Sequence, residues 1–304
     1  MRRLVFNPWS IAAVGFLAMA QLPAHKGIQA AAAEKPAAGI TLPLKTGSVR
    51  FAVIGDSGSG DAAETQVALQ MEKTRRLSNF DFVLMVGDNL YGGSSPGDYE
   101  QRFGKPFKPL LDRGVKFYAA LGNHDNTNET GYAPFNMGGN RYYSFRKADV
   151  QFFVLDSNYL DGPQIDWLKG ELEKSTAAWK IAYLHHPLYS SGKRHGSDMD
   201  LRTVLEPILK NYGVQVVLQG HDHVYERVKA QGGIVYFVVG NSGQLRSGGL
   251  GMNGIKEAGF DTDRCFMVVE ISGDELYFQT ISRAGETVDS GAIKRTAGGI
   301  ASAP

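Results

Sequence analysis

The sequence contains a single cysteine, Cys265, among 304 residues. No disulfide can form within one chain, so the fold must depend on its hydrophobic core or on bound metal. A large excess of charge of either sign is also missing, because 32 basic residues face 31 acidic ones. Binding to nucleic acid or to a membrane surface through charge needs a basic excess, so we expect neither partner. Hydrophobic residues make up 43% of the chain and aromatic residues 11%, which is enough for a large packed core.

The first 33 residues have the layout of a secretory signal peptide. Arg2 and Arg3 precede an apolar stretch, 11–22, which is too short to span a membrane, and small residues suited to cleavage follow at 30–33. An uncleaved anchor is the alternative. Removal of this segment takes away three basic residues and leaves 29 against 31 acidic ones. We expect an exported protein, periplasmic or secreted, with no stable membrane association after cleavage.

Seven short apolar runs, rich in Val, Ile, Phe and Tyr, are apolar on consecutive residues, which is typical of strands buried on both faces. Each run ends in Asp, Asn or His. The residues at these ends are Asp56, Asp88, Asn89, Asn123, His124, Asp125, Asp156, His185, His186, His221, His223 and Asn241. Helical patterns lie between several runs, at 63–71, 165–172 and 201–209. The alternation predicts an α/β domain, in which sites form beyond the carboxyl ends of the strands.

The chain after the signal peptide is predicted to hold one such domain. We expect a linker over 34–47, the α/β domain over 48–295 and a flexible tail over 296–304, where small residues dominate. We expect this domain to be a monomer.

The histidines are concentrated at the predicted strand ends. Of the seven, His25 lies in the predicted signal peptide and the other six lie at or near a strand end. His221 and His223 are two residues apart, so in an extended segment both would face one ion. With Asp56 and Asp88 added, the chain offers more ligands than one ion can use. The sequence therefore predicts two metal ions, about 3.5–4 Å apart, that share a bridging carboxylate.

Five motifs, in this order, resemble the signature of the purple acid phosphatases within the calcineurin-like metallophosphoesterases. They are GDSG (55–58), GDNLY (87–91), GNHD (122–125), IAYLH (181–185) and GHDH (220–223). The stretch from HHPLYSSGKRHG to YGVQVVLQGHDH is similar to the small, tartrate-resistant type, and the resemblance covers 49–283. It implies a four-layer sandwich of two mixed β-sheets flanked by helices. A dinuclear metal site would lie at the carboxyl ends of the strands.

The resemblance also implies two groups of metal ligands that share one residue. The first ion would be held by Asp56, Tyr91 and His223, the second by Asn123, His185 and His221, and Asp88 would bridge them. In this family the first ion is Fe(III), and its bond to the tyrosine phenolate gives the purple colour. The second ion would be divalent Fe, Zn or Mn.

Further residues match positions around the metals. His124 and His195 match the family's histidines that contact the phosphate and protonate the departing alcohol. His195 lies in SSGKRHGSD, a loop rich in glycine and serine that we predict to be mobile. Asp125 could be a ligand, but its place beside His124 favours a hydrogen-bond partner that orients that ring. His186 is interpreted as a residue that does not bind metal.

The implied function is that of an acid phosphatase, which hydrolyses small phosphate monoesters by attack of a metal-bound hydroxide at an Fe(III)–M(II) centre. Two cations would hold the phosphate oxygens and lower the pKa of water. A trivalent ion acidifies water more than a divalent one, which would make hydroxide available in acid. The alternative within the superfamily is a divalent-metal phosphodiesterase or nucleotidase, in which Tyr91 would be an ordinary pocket aromatic.

Three other classes compete with this interpretation. GDSG resembles a serine hydrolase nucleophile at Ser57, but the late Asp-x-x-His or early His-Cys block of such enzymes is missing. GDSGSG also differs from the G-x-G-x-x-G of dinucleotide folds. A metal-binding protein without catalysis is harder to exclude. The intact His124 and the complete set of seven ligands argue against it.

Overall fold

The computed structural model describes residues 39–296 and 299–302. The predicted signal peptide, 1–33, lies outside these residues, as does the first part of the predicted linker. Within the described part of the chain, no helix has the length and apolarity needed to cross a membrane.

The described residues form fourteen strands and five α-helices. The strands are β1 (Val49–Ile54), β2 (Phe82–Met85), β3 (Lys116–Ala119), β4 (Tyr143–Lys147), β5 (Val150–Val154), β6 (Trp179–Tyr183), β7 (Val216–Gln219), β8 (Tyr225–Gln231), β9 (Ile234–Val239), β10 (Lys256–Phe260), β11 (Cys265–Ser272), β12 (Glu275–Ser282), β13 (Thr287–Thr296) and β14 (Gly299–Ser302). The helices are α1 (Ala62–Ser78), α2 (Pro96–Tyr99), α3 (Lys105–Leu111), α4 (Gly162–Lys174) and α5 (Met199–Asn211). A π-helical turn, Glu100–Gly104, joins α2 to α3, and two 3₁₀ turns follow β3 at Thr127–Gly131 and Ala133–Phe135.

The strands form two mixed seven-stranded sheets. The first has the order β14-β13-β12-β11-β1-β2-β3, in which β1, β2 and β3 are parallel. The second has the order β10-β8-β9-β7-β6-β5-β4, in which β5, β6, β7 and β9 are parallel. Antiparallel strands complete the first sheet on the side of β14 and the second sheet on both sides, while the parallel strand β3 forms the other edge of the first. The predicted strands with consecutive apolar residues are these parallel strands.

The two sheets pack face to face through an aromatic layer. The rings of Phe51 and Phe82 stack at 5.3 Å between centroids, and Phe152 of the second sheet meets the edge of both, at 5.3 and 5.6 Å. Trp179 and Phe237 extend the same buried cluster. Each such ring contributes hydrophobic stabilisation of about 1.5–3 kcal/mol on burial.

Helices cover the outer face of each sheet. Val67 and Met71 of α1 belong to a buried cluster on the first sheet, to which α3 also contributes. Leu168 of α4 and Leu205 of α5 belong to the cluster on the second sheet. The architecture is therefore helix, sheet, sheet, helix, which confirms the predicted four-layer sandwich. The three predicted helices are α1, α4 and α5.

The described ends of the chain both contact the first sheet. Residues 299–302 of the predicted flexible tail, 296–304, form β14, which pairs antiparallel with β13. The described part of the predicted linker has no strand or helix but is tied to the first sheet. Leu44 and Lys45 donate backbone hydrogen bonds to the buried carboxylate of Glu270 at 2.7 and 2.5 Å.

Candidate metal centre

The first ligand group, defined as Asp56, Tyr91 and His223, comes together where β1, β2 and β7 end. The Tyr91 hydroxyl lies 3.2 Å from Asp56 Oδ1 and 3.2 Å from His223 Nε2. His223 Nε2 lies 3.4 Å from Asp56 Oδ1. Three residues that are far apart in sequence therefore place their ligand atoms around one point.

The second ligand group, defined as Asn123, His185 and His221, follows β3, β6 and β7. His185 Nε2 lies 3.1 Å from Asn123 Oδ1 and 3.2 Å from His221 Nδ1. The other ring nitrogen of His185 lies 3.1 Å from the backbone carbonyl of Val86. An N–H at that nitrogen would donate to the carbonyl and leave Nε2 as the free lone pair.

Asp88 lies between the two groups. Its Oδ2 accepts a hydrogen bond from the Tyr91 hydroxyl at 2.9 Å, and its Oδ1 lies 3.4 Å from His185 Nε2. One oxygen thus faces each group, which is the arrangement that a bridging carboxylate needs. The structure brings together all seven residues that the sequence proposed as ligands.

The backbone at these strand ends is unusual. Asp56, Asp88 and His221 have left-handed φ values of 52°, 51° and 69°. Non-glycine residues adopt this conformation at a cost, and such residues are frequent at functional sites. Gly87, at φ 95°, precedes Asp88, and a Cβ there would lie 2.5 Å from His185 Nδ1. Glycine at this position allows the second sheet's histidine to approach the first sheet.

Burial changes the pKa values of the two groups in opposite directions. Burial raises the pKa of Asp56 to about 7, and burial beside Asp56 and Asp88 raises the pKa of the Tyr91 phenol. Burial, with the neighbouring histidines, lowers the pKa of His221 to about 2 and lowers that of His185 well below its usual value. Desolvation penalises the charged form, so acids keep their protons and imidazoles lose theirs.

The donor set fits bound cations. Asp56, Asp88 and His223 offer ligand atoms that all lie within 4.8 Å of one another. In the described part of the chain, the ion-pair partners of these two buried carboxylates are histidines, and neither carboxylate meets a lysine or arginine. Burying acidic groups without a counter-charge is costly, and cations bound there would offset that cost.

His124 and Asp125 follow directly after Asn123. The His124 ring is exposed and lies 4.7 Å from the Tyr91 ring between centroids. The Asp125 carboxylate accepts hydrogen bonds from Asn89 Nδ2 at 2.7 Å and from the backbone N–H groups of Gly122 and Leu90 at 2.8 and 3.0 Å.

These bonds of Asp125 tie the turn after β3 to the turn after β2, because adjacent parallel strands end side by side. The role of Asp125 in orienting the His124 ring stays a prediction. Burial raises the pKa of Asp125 well above the usual value.

His195 lies over the second ligand group. Its ring is 4.0 Å from the His221 ring between centroids and is exposed to solvent. The predicted mobile loop around it is held by backbone pairing with a second loop. Lys193 N–H donates to Gly249 O at 2.8 Å, and Gly251 N–H donates to Ser191 O at 2.7 Å. These bonds restrain the part of the loop that precedes His195, and the mobility of the loop stays a prediction.

A cavity of about 640 Å³ opens beside the second ligand group. Its lining includes Asn123, His186, Ser157, Asn158 and Tyr159. His186 Nδ1 lies 2.9 Å from the Ser157 hydroxyl, so that nitrogen is engaged away from the ligand groups. No functional role was predicted for the segment after β5. The polar end of the run FFVLDSN, which matches the other strand ends, could have indicated that this segment contributes to the site.

Sequence comparison gives the family. The profile described as Calcineurin-like phosphoesterase matches residues 49–225, more than half of the chain. Purple acid phosphatase 17 of Arabidopsis thaliana is 30% identical over 243 residues, which cover 66% of this chain and 70% of the relative. The chain belongs to the calcineurin-like phosphoesterases, within the purple acid phosphatase branch.

Other purple acid phosphatase relatives agree with this membership. Tartrate-resistant acid phosphatase type 5 of Homo sapiens is 25% identical over 302 residues, which cover 83% of this chain and 93% of the relative. The structure of the purple acid phosphatase from yellow lupin (Lupinus luteus) seeds has a TM-score of 0.69 at 19% identity, over 84% of this chain and 55% of that one. The fold is therefore shared. Membership points to a metal-dependent phosphoric monoester hydrolase with a dinuclear metal site.

Proposed function

We propose that this protein is an acid phosphatase that hydrolyses small phosphate monoesters at a dinuclear Fe(III)–M(II) centre, in which M is Fe, Zn or Mn. The observation that carries the proposal is the position of Asp88, with one oxygen toward Tyr91 and the other toward His185. A single ion would not require two ligand groups on opposite sides of one carboxylate.

The ligand types support different ions in the two groups. The first group supplies a phenol oxygen and a carboxylate, the hard donors that a trivalent ion prefers. The second supplies two imidazoles and one amide, which carry no charge and suit a divalent ion. When bound, the two ions would supply positive charge for the phosphate oxygens and would acidify a water molecule enough to give hydroxide in acid.

Two exposed histidines are proposed to act on the substrate. His124, beside Tyr91, would donate a hydrogen bond to the phosphate. His195, over His221, would hold a proton and give it to the departing alcohol oxygen. Burial lowers the pKa of His195, and the positive charges of Arg194 and Arg246 lower it further, against the opposing effect of Asp222. An acid with a lowered pKa is protonated only at low pH, which agrees with an acid phosphatase.

The cavity beside Asn123 and His186 supports a substrate with an alcohol group of modest size. Its volume of about 640 Å³ is in the range of small-molecule sites. Asn123 of the second ligand group lines this cavity, so a phosphate held between the groups would lie beside it and could direct its alcohol toward this space. Small phosphomonoesters therefore remain the proposed substrates, and nucleic acid is not proposed as a partner.

The remaining predictions about the whole protein are kept as proposals. They comprise a signal peptide over 1–33, export to the periplasm or the exterior, a catalytic domain over 48–295 and a monomeric state. The basic start, apolar stretch and small residues within 1–33 support the signal peptide and export. Intact-mass measurement of the exported protein would reveal removal of residues 1–33.

One set of measurements on the purified protein tests the proposed function. Metal analysis should give two ions per chain with iron among them, and the visible spectrum should show a broad charge-transfer band. Release of phosphate from p-nitrophenyl phosphate should be fastest in acid. A colourless iron-loaded protein that cleaves diesters at neutral pH would instead support a divalent-metal phosphodiesterase. Metal binding without turnover would support a binding protein.

A further inference from the structure

Asp222 is the residue between two proposed metal ligands, His221 and His223, yet its carboxylate faces away from both ligand groups. The side chain is buried, with 2% of its surface exposed. Its backbone N–H donates to Gly220 O at 2.8 Å, and its backbone carbonyl accepts from Val224 N–H at 2.6 Å. The chain therefore holds a buried acid directly behind the metal ligands, and the mechanism proposed above does not use it.

Within the described residues, the hydrogen bonds that this carboxylate accepts all come from the loop that carries His195. Ser190 Oγ donates to Asp222 Oδ2 at 2.6 Å, and Gly196 N–H donates to the same oxygen at 3.0 Å. The backbone N–H of His195 itself donates to Oδ1 at 3.4 Å. The three donors lie on both sides of His195 and include it, so the carboxylate is the centre around which this loop is folded.

The loop approaches Asp222 closely. A Cβ on Gly192 would lie 2.1 Å from the Asp222 carboxylate, which leaves room for glycine only. Gly196 has a φ of 70°, a left-handed conformation that glycine adopts without cost. Ser190 Oγ also accepts the Gly192 N–H at 2.9 Å, so one hydroxyl links the carboxylate to the first turn of the loop.

These contacts connect the proposed proton donor to the metal ligands through a short rigid path. The backbone that carries His221 also carries Asp222, and Asp222 holds the backbone of His195. The distance of 4.0 Å between the His195 and His221 rings is thereby fixed from both sides. A proton donor must lie within hydrogen-bond reach of the leaving oxygen, and small displacements of such groups cost large factors in rate.

We infer that Asp222 is a positioning residue, which holds the His195 loop so that the His195 ring stands over the second ligand group. This inference rests on the proposed phosphatase function and on the role of His195 as proton donor. Asp222 does not contact the substrate; it acts through His195. Its loss should therefore resemble the loss of His195 and not the loss of a metal ligand.

The experiment compares substrates that differ in how much they need a proton donor. p-Nitrophenolate is a good leaving group and departs without protonation. The alcohol of glycerol 2-phosphate is a poor leaving group and must receive a proton as it departs. Asp222→Ala should lower kcat for glycerol 2-phosphate by about 10–100-fold, part of the factor that general acids supply, and leave kcat for p-nitrophenyl phosphate little changed. KM should change little for both, and two ions per chain should remain. In a His195→Ala background, Asp222→Ala should add no further loss on glycerol 2-phosphate.

Ser190→Ala tests the same contact from the loop side, where it does not adjoin a metal ligand. It should give a smaller loss with the same dependence on the leaving group. Ser191→Ala is the matched control, because this neighbouring hydroxyl is not among the donors to Asp222, and it should behave as wild type. Asp222→Asn keeps an acceptor and should recover part of the rate.

The outcomes separate this inference from the proposed function. If Asp222→Ala loses its metals, the comparison of Ser190→Ala with Ser191→Ala decides whether the positioning role is correct. Equal slowing of both substrates by Ser190→Ala, or no slowing beyond that of Ser191→Ala, would overturn the positioning role. Additive losses in the double variant would do the same. A wild-type protein that releases phosphate from neither substrate would overturn the phosphatase proposal and the inference with it.

Discussion

Burial shifts the pKa values of the acids in the first ligand group and of the imidazoles in the second in opposite directions. In the first group, burial raises the pKa of Asp56 to about 7 and also raises that of Tyr91, so these residues keep their protons in acid. In the second group, burial lowers the pKa of His221 to about 2 and that of His185 well below its usual value. The second group therefore offers free lone pairs before any ion arrives, whereas the first must first release protons.

This difference shows that one physical effect can produce two unlike metal sites side by side. Removal of water disfavours charge of either sign, so a group built from acids becomes dependent on pH while one built from imidazoles does not. Asp88, shared by both, is the residue through which a change in one group reaches the other. Four predictions test the comparison.

The largest effect is expected when the shared ligand is removed. Asp88→Asn should lose both ions and lower phosphatase activity by about 10³-fold or more, because both ions lose a charged oxygen at once. Metal analysis and phosphate release measure this. Asp156→Asn is the matched control, since Asp156 is also a buried aspartate after a strand but pairs with Arg141 at 2.7 Å, and it should keep two ions. An Asp88→Asn protein with two ions and full rate would refute the bridging role.

Single ligands should separate the two groups. His223→Ala should weaken the ion of the first group, and His221→Ala that of the second, each by at least about 10-fold in affinity while the other ion stays bound. Activity should fall strongly in both, because the proposed chemistry needs two ions. Competition with a chelator, followed by metal analysis, gives the affinities. Equal loss of both ions in each variant would mean that the groups are not independent sites.

Tyr91 should distinguish the first group by its spectrum. Tyr91→Phe removes one oxygen and no carbon, so packing should change little, and the visible band of the iron-loaded protein should disappear. The rate should fall by about 10-fold or less, because Asp56, His223 and Asp88 would still hold the ion. Absorption spectra before and after the substitution measure this. Survival of the band would place the iron elsewhere.

The smallest expected effect is a change in the number of protons released when metal binds. Loading the first group at about pH 5 should displace the protons of Asp56 and Tyr91, whereas at about pH 9 Asp56, with its pKa of about 7, has already lost its own. Proton release should therefore fall by about one per chain between these pH values, and metal affinity should rise more steeply with pH below about 7 than above it. Calorimetry in buffers of different ionisation enthalpy measures the count. Asp56→Asn should abolish the change, and a release that is equal at both pH values in wild type would contradict it.

The sequence predicted the parts of the site that depend on strand ends. Asp56, Asp88, His185 and His221 each follow an apolar run, and the carboxyl ends of parallel strands meet at one edge, so their convergence could be expected. Contacts between loops could not be expected in this way. Asp125 accepts a hydrogen bond from Asn89 because of how neighbouring turns pack, and no local pattern encodes that contact.

The His195 loop is a second example. Its glycines and serines suggested mobility, but their small size serves close packing around Asp222, 26 residues away from Gly196 in sequence. The strand Gly299–Ser302 was missed for a related reason. Its composition of small residues predicts a tail, whereas its backbone pairs with the edge left open by β13.

Because the ligands come from different sheets, bound metal should affect how the protein unfolds. Asp56 and Asp88 extend from the first sheet, and His185 and His221 extend from the second. An ion held by residues of both is a cross-link between the two halves of the sandwich, in a chain whose single cysteine can provide none of its own. Separation of the sheets, and exposure of the aromatic layer between them, then requires the ions to leave first. A chelator should for this reason speed the unfolding of the loaded protein and leave that of an Asp88→Asn variant unchanged.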